Sequence, residues 1–213
     1  MRVSREIVIQ ATSDIVNKDG LNKVSLKVIA EKLGIRTPSL YNHIESLDDL
    51  LLEVAHKGMR EMNSQMIKAA IGNFGDTAIK CISIAYFNFI ISNPGVYETI
   101  QWATWHGNNE TLEIFDEYKS LLEKLILSCN LNTKNTGEIL NLIMSVLHGY
   151  STLQLGKSLL SKEEAIKGLV DSIDTCLLYT SDAADDLLCV DLGGRRIIKK
   201  KKQRNGQRVA GIV

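Results

Sequence analysis

Two prolines in 213 residues, and fifteen glycines in no fixed period, exclude collagen-like and low-complexity chains. No apolar stretch approaches the ~18–20 residues that a membrane helix needs. No signal-peptide apolar block stands behind residues 1–6. The expectation is a cytoplasmic chain with no membrane partner. There is no Gly-rich phosphate loop, no His-Glu-x-x-His, no Gly-x-Ser-x-Gly and no carboxylate pair beside a nucleophile, so no enzyme, catalytic residue, metal or cofactor is expected. Cys81 and Cys129 lie far apart, without Cys-x-x-Cys or a histidine at metal spacing, and are expected as buried small hydrophobes.

Charge of one sign is also missing, because 25 basic and 25 acidic residues cancel. The balance conceals a break. Residues 1–175 carry 17 Lys and Arg against 21 Asp and Glu, whereas residues 176–213 carry 8 against 4. A basic tail invites a nucleic-acid reading. Residues 176–185 and 189–198, however, resemble two successive blocks of a translated transposase sequencing adapter, with Asp186, Leu187 and Leu188 where a variable index falls. The expectation is a non-native, disordered tail over 176–213, with the authentic sequence ending near Thr175; a genuine basic tail is the alternative. Cys176 and Cys189 belong to this segment.

What remains is 45% hydrophobic and patterned for helices. Val8, Ala11, Ile15 and Val16 recur at three- to four-residue spacing, so residues 4–18 read as an amphipathic helix ended by Asp19-Gly20. Ser25 caps a helix to Leu33, stopped by Gly34. Thr37 caps a short helix with Pro38 at its first position. Ser46 opens a long one, and Ser46-x-x-Asp49 is similar to a capping box. Further helices are expected at 76–92, 95–102, 110–128, 134–156 and 161–175. The fold class is all-α: an N-terminal three-helix helix-turn-helix domain, 1–47, and an antiparallel helical bundle, 48–175, about nine helices in all.

Residues 25–43 carry the recognisable chemistry. Val28, Ile29, Leu33, Ile35, Leu40 and Ile44 suit one small core, Ala30 permits close helix approach, and Gly34 permits the positive φ of a tight interhelical turn. A generic helical hairpin shares parts of this pattern. The whole string is closer: Ser25, Ile29-Ala30, Leu33-Gly34-Ile35, Leu40-Tyr41-Asn42-His43 and then Leu50-Leu51 resemble the DNA-binding domain of TetR-family transcriptional regulators over residues 4–55.

That resemblance implies a ligand-responsive repressor that binds a palindromic double-stranded DNA operator as a homodimer and is released by a small-molecule inducer. Arg36, Thr37, Pro38, Ser39 and Asn42 would meet base edges, Arg preferring guanine and Asn adenine. Tyr41 and His43 would face phosphate, and Ser25 and Lys27 would present a hydroxyl, a charge and free N–H groups to it. For His43, a packing role at the helix end is the other reading. The family often has Lys near the start of the fourth helix; Leu47, Asp48 and Asp49 stand here. Four cations, Lys23, Lys27, Lys32 and Arg36, face one anion, Glu31, over residues 22–43, which predicts modest non-specific affinity.

The body is read less directly. Tyr86, Phe87, Phe89, Tyr97, Trp102, Trp105, His106, Phe115 and Tyr118 gather most aromatics into one third of the chain. They suit either ordinary core or a largely apolar small-molecule cavity. The expected lining is Phe87, Trp102, Trp105, Phe115, Tyr118, Met144 and His148. His148-Gly149 resembles the signature of a TetR sensor subclass with a Trp-His-Gly-type motif, although Met144 and Ser145 replace the expected aromatic; the literal Trp105-His106-Gly107 lies too early. Gly149 implies a close helix contact. The expected dimer face runs along Ile139, Leu142, Ile143, Val146, Leu147, Tyr150 and Leu153, with Ile166, Leu169, Val170 and Ile173. A helical small-molecule-binding or protein-interaction module without DNA function is the alternative from a different class.

Overall fold

A computed structural model describes residues 3–129, 136–158 and 161–182, with side chains to Leu178. Among these residues there are nine α-helices and no strand. The first three, α1 (Arg5–Asp19), α2 (Leu26–Leu33) and α3 (Thr37–Leu40), form a compact head. Val8, Ile29, Ala30, Leu40 and Ile44 close its core. Complete burial of a side chain such as Leu40 contributes about 1.5–3 kcal/mol, enough to fix a helix of only four residues that could not persist alone.

The local signals act as their chemistry requires. Ser4 and Ser25 accept from the backbone N–H of Ile7 and Val28, capping α1 and α2. Gly34 ends α2 in the left-handed conformation, φ 66° and ψ 30°, and donates back to Ala30 and Glu31. Its Cβ-free backbone makes the sharp turn into α3. The cap of α3 is Arg36, not Thr37, and it makes no side-chain cap bond; Thr37 is already helical.

The fourth helix, α4 (Leu47–Ala70), leaves the head and runs the length of the body. Ser46 accepts from Asp49 N–H at 3.0 Å, but the Asp49 carboxylate reaches the N–H of Glu45 rather than that of the cap residue, so the box is displaced by one residue. Next come α5 (Gly75–Ser92), α6 (Pro94–His106), α7 (Asn109–Ser128), α8 (Thr136–Leu155) and α9 (Lys162–Asp182). Of these, α6 extends four residues beyond the expected end at Trp102. Asn108 and Thr111 make a reciprocal capping box on α7. The apolar α5 packs against α4, α6, α7, α8 and α9, which accounts for its fully buried Ile79, Ile82, Phe87 and Ile90.

Several expectations change. Helix α9 continues to Asp182, with Cys176 and Leu177 buried, so the first seven residues of the adapter-like segment are helical rather than disordered. Residues 183–213, with Cys189 and the basic run, lie outside the described residues. Cys81 and Cys129 are half-buried rather than buried. Gly149 makes no close helix contact: a Cβ there would meet nothing within 4 Å. The close approach occurs instead at Gly168, where a Cβ would lie 2.9 Å from the Tyr150 hydroxyl. Of the expected dimer face, Ile139, Ile143, Leu147, Leu169 and Ile173 are core residues of a single copy. The outward stripe is Leu142, Val146, Tyr150 and Leu153 of α8, with Ile166 and Val170 of α9.

Candidate nucleic-acid interface and body cavity

The head presents the start of α3 to solvent. Arg36, Pro38, Tyr41 and Asn42 are exposed, Tyr41 by 57%, while Leu40 between them points inward. Thr37, Ser39 and His43 are half-buried on the same short segment. Ser25 and Lys27 stand at the start of α2. Because Ser25 Oγ accepts from Val28, its hydroxyl hydrogen stays available, as do the N–H groups of Leu26 and Lys27, which precede the first intrahelical bond at Ile29. The nine expected residues therefore share the helix-turn-helix and its exposed edge, a geometry suited to entering a major groove.

Two of the four nearby cations are already paired. Lys32 Nζ lies 3.1 Å from Asp14, and Lys27 Nζ lies 3.9 Å from Glu31. Lys23 and Arg36 have no carboxylate partner among the described residues. Hydrogen bonding to Gln10, then to Lys32, holds the Asp14 carboxyl below the usual carboxylate range. Lys57 of α4 completes this ladder by donating to Gln10 at 2.6 Å.

One head residue escaped the sequence reading. Arg5 donates to the His43 carbonyl at 3.2 Å and to Glu53 at 3.1 Å, with Asp49 at 3.6 Å. It ties the end of the reading segment to α1 and α4. Its partners are 38 to 48 residues away, so no local pattern announces it.

The body forms a half-open cavity of about 410 Å³ between α4, α5, α6, α7 and α8, with Asn141, Ser145 and His148 at its exposed side. Of the expected lining, Phe115, Tyr118, Met144 and His148 are there. Phe87 is buried core, Trp102 stacks on His106 with ring centroids 4.7 Å apart, and Trp105 is 86% exposed; none of these three lines the cavity. Tyr86 of α5 and Tyr97 of α6, named in the aromatic group but not in the expected lining, are there too, and missed altogether were Met59, Met62 and Asn63 of α4, Ile100 and Gln101 of α6, Ile114 of α7, and Asn141 and Ser145 of α8. Tyr86 and Tyr118 stack at 5.8 Å, and Phe115 meets Tyr118 edge-on. The Tyr97 hydroxyl is 2.5 Å from His148 Nδ1; with the phenol as donor, the imidazole carries its proton on Nε2. Burial pushes the phenols of Tyr86, Tyr97 and Tyr118 above their ordinary range, so all three are neutral. No Lys, Arg, Asp or Glu lines the space. The described residues hold no cluster suited to a metal ion, and none of their helices is long and apolar enough to cross a membrane.

Beside the cavity, His56 of α4 is 2% exposed. Its Nε2 is 2.7 Å from Thr111 Oγ1, its Nδ1 is 3.5 Å from Glu110, and Arg60 pairs with the same Glu110. Desolvation lowers the His56 pKa; Glu110 opposes the shift and Arg60 adds to it. The unfolded chain therefore binds this proton more readily, and stability is lost as pH falls from the ordinary imidazole value toward the folded one. Acidification from about pH 7.5 to about 5.5 is expected to lower the melting temperature more in the wild type than in His56→Gln. Equal pH slopes would contradict it.

No family model matches the chain. An uncharacterized HTH-type transcriptional regulator of Bacillus subtilis strain 168, YobS, is 29% identical over 176 residues, 82% of this chain and 91% of that protein. The class D tetracycline repressor protein of Escherichia coli is 37% identical over 57 residues, 25% of this chain and 26% of the repressor. Among solved structures, the TetR-family transcriptional regulator PfmR from Thermus thermophilus superposes with a TM-score of 0.66 at 14% identity, covering 80% of this chain and 97% of PfmR. These relatives are regulators of transcription rather than enzymes. An outward helix-turn-helix segment, an all-helical body and relatives of one kind converge: the chain has the fold of, and is similar to, the TetR-family helix-turn-helix transcriptional regulators.

Proposed function

We propose that this DNA-binding regulator is a homodimeric repressor, released from a palindromic operator by a small, largely apolar inducer in the body cavity. The observation that carries this reading is that two helices belong to both sites. Helix α4 begins where the head ends and lines the cavity with Met59, Met62 and Asn63. Helix α6 presses on α1 at Gly95 and lines the cavity two residues later at Tyr97. Asn17 of α1 fixes that junction by accepting from Val96 N–H at 2.9 Å, and Glu98 of α6 accepts from Leu21 N–H at 3.1 Å. A molecule that fits one packing of α4 and α6 better than another favours one placement of the head, by its difference in affinity for the two states.

The outward stripe on α8 and α9 suits an isologous four-helix interface with a second copy. Such a dimer would set two heads about one DNA turn apart, ~34–36 Å or a multiple. That one relative is a tetracycline repressor protein supports repression and a role for a small molecule.

Selection from random duplexes tests the reading: a palindrome should be enriched, and a helical module without a DNA role would enrich nothing. With two unpaired cations per head, a plot of log K against log salt on the selected site should be shallow, with a slope of roughly −4. A slope of about −7 would show that the paired lysines are released to phosphate.

A further inference from the structure

We propose that the cavity is built for an uncharged aromatic molecule bearing a hydrogen-bond donor, and that Asn63 Oδ1 is the acceptor for that donor. This rests on the ligand-responsive reading above and names its ligand class.

Asn63 is 6% exposed, on the cavity wall. Its amide nitrogen donates to the Ile114 carbonyl at 3.4 Å. A carbonyl only accepts, so the opposite amide orientation would set two oxygens against each other, and the observed one is fixed. Its oxygen is left buried with no hydrogen-bond partner. A buried acceptor without a donor carries the desolvation cost of a bond it does not make. A ligand O–H or N–H at this wall removes that cost, and one lacking a donor leaves it in place.

The rest of the wall sets the other two properties. Stacked Tyr86 and Tyr118, with Phe115 edge-on, offer flat aromatic surface. Met59, Met62 and Met144 supply polarizable side chains that adapt to an irregular outline and favour sulfur–aromatic contact. With no cationic Lys or Arg on the wall, and with His148 Nδ1 engaged by Tyr97, a carboxylate entering the cavity would be stripped of water without an ion partner. The volume falls within the range of ordinary small-molecule sites.

The test uses the full chain and three matched probes: 4-phenylphenol, 4-fluorobiphenyl, which keeps the shape but lacks the donor, and biphenyl-4-carboxylate. Calorimetric titration of the wild type is expected to show the phenol binding at least tenfold more tightly than the fluoride, and the carboxylate more weakly than either. In Asn63→Leu the gap between phenol and fluoride is expected to close, with the fluoride retained. Equal binding of phenol and fluoride by the wild type overturns the proposal, as does tightest binding by the carboxylate or no binding of any probe. The wild-type comparison holds whether or not the variant folds. Retention of a selected duplex, measured without probe, reports separately on the regulator, so a failed ligand class is distinguishable from a failed function.

Discussion

Alanine in place of Asn42 or Arg36 is expected to cut binding to a selected operator by about ten- to a hundredfold or more, with the melting temperature unchanged. Both side chains are exposed at the reading segment, and neither is buried in the head. A good bidentate contact to a base edge discriminates by about 1–3 kcal/mol, and a dimer loses each contact twice. For Asn42 the loss should be confined to the preferred sequence, with weak binding to unrelated duplexes little altered, whereas loss of the Arg36 charge should also weaken binding to unrelated duplexes and flatten the salt dependence by about 2. Gel-shift or fluorescence-anisotropy titrations against the selected site and a scrambled one make the comparison. Unchanged binding in both variants would return the chain to the class of helical modules without a DNA role.

The second large effect is expected at Gly95. A Cβ there would overlap the Val16 carbonyl and stand 2.6 Å from Asn17 N, and these are backbone atoms of α1. Backbone does not rotate aside, so Gly95→Ala must push α6 away from α1 and break the Asn17–Val96 hydrogen bond. Overpacking of this kind costs about 3 kcal/mol, a fall of ~6–12 °C in the melting temperature of a body this size. Gly58 is the informative control. Its Cβ would overlap Val96 Cγ1, a side-chain atom with more room to yield, so Gly58→Ala should cost less. Thermal melts of both variants decide the order. Equal, small effects would mean that α6 is not seated on the head as tightly as the geometry requires, and the proposed route from cavity to head would lose its rigid link.

The head was legible in the sequence because its determinants are local. Ser25, Gly34 and Pro38 act through their own backbone and that of the next few residues, and the apolar spacing from Val28 to Ile44 needs one short core. The cavity was not legible, because five helices build it and rotation about each axis decides which neighbour faces inward. Tyr86 lines the space while Phe87, one residue on, is buried core. Composition treats the two alike, and only the packing of α5 separates them. Trp105 failed for a related reason: it lies beyond the part of α6 that meets the body, in a stretch where the sequence suggested the helix had already ended. On α8, alternation of Leu142 outward with Ile139 and Ile143 inward could not be resolved, because the apolar residues of this helix are spread around its axis.

Lys27 and Lys32 are each engaged by an acid of the head itself, and this has a kinetic corollary. Contact with arbitrary genomic sequence is held by few charges, so each visit is brief and the search proceeds by frequent dissociation rather than long one-dimensional sliding. Occupancy of the preferred site is then expected to vary less steeply with the potassium level around it than it would for a head with all four cations free.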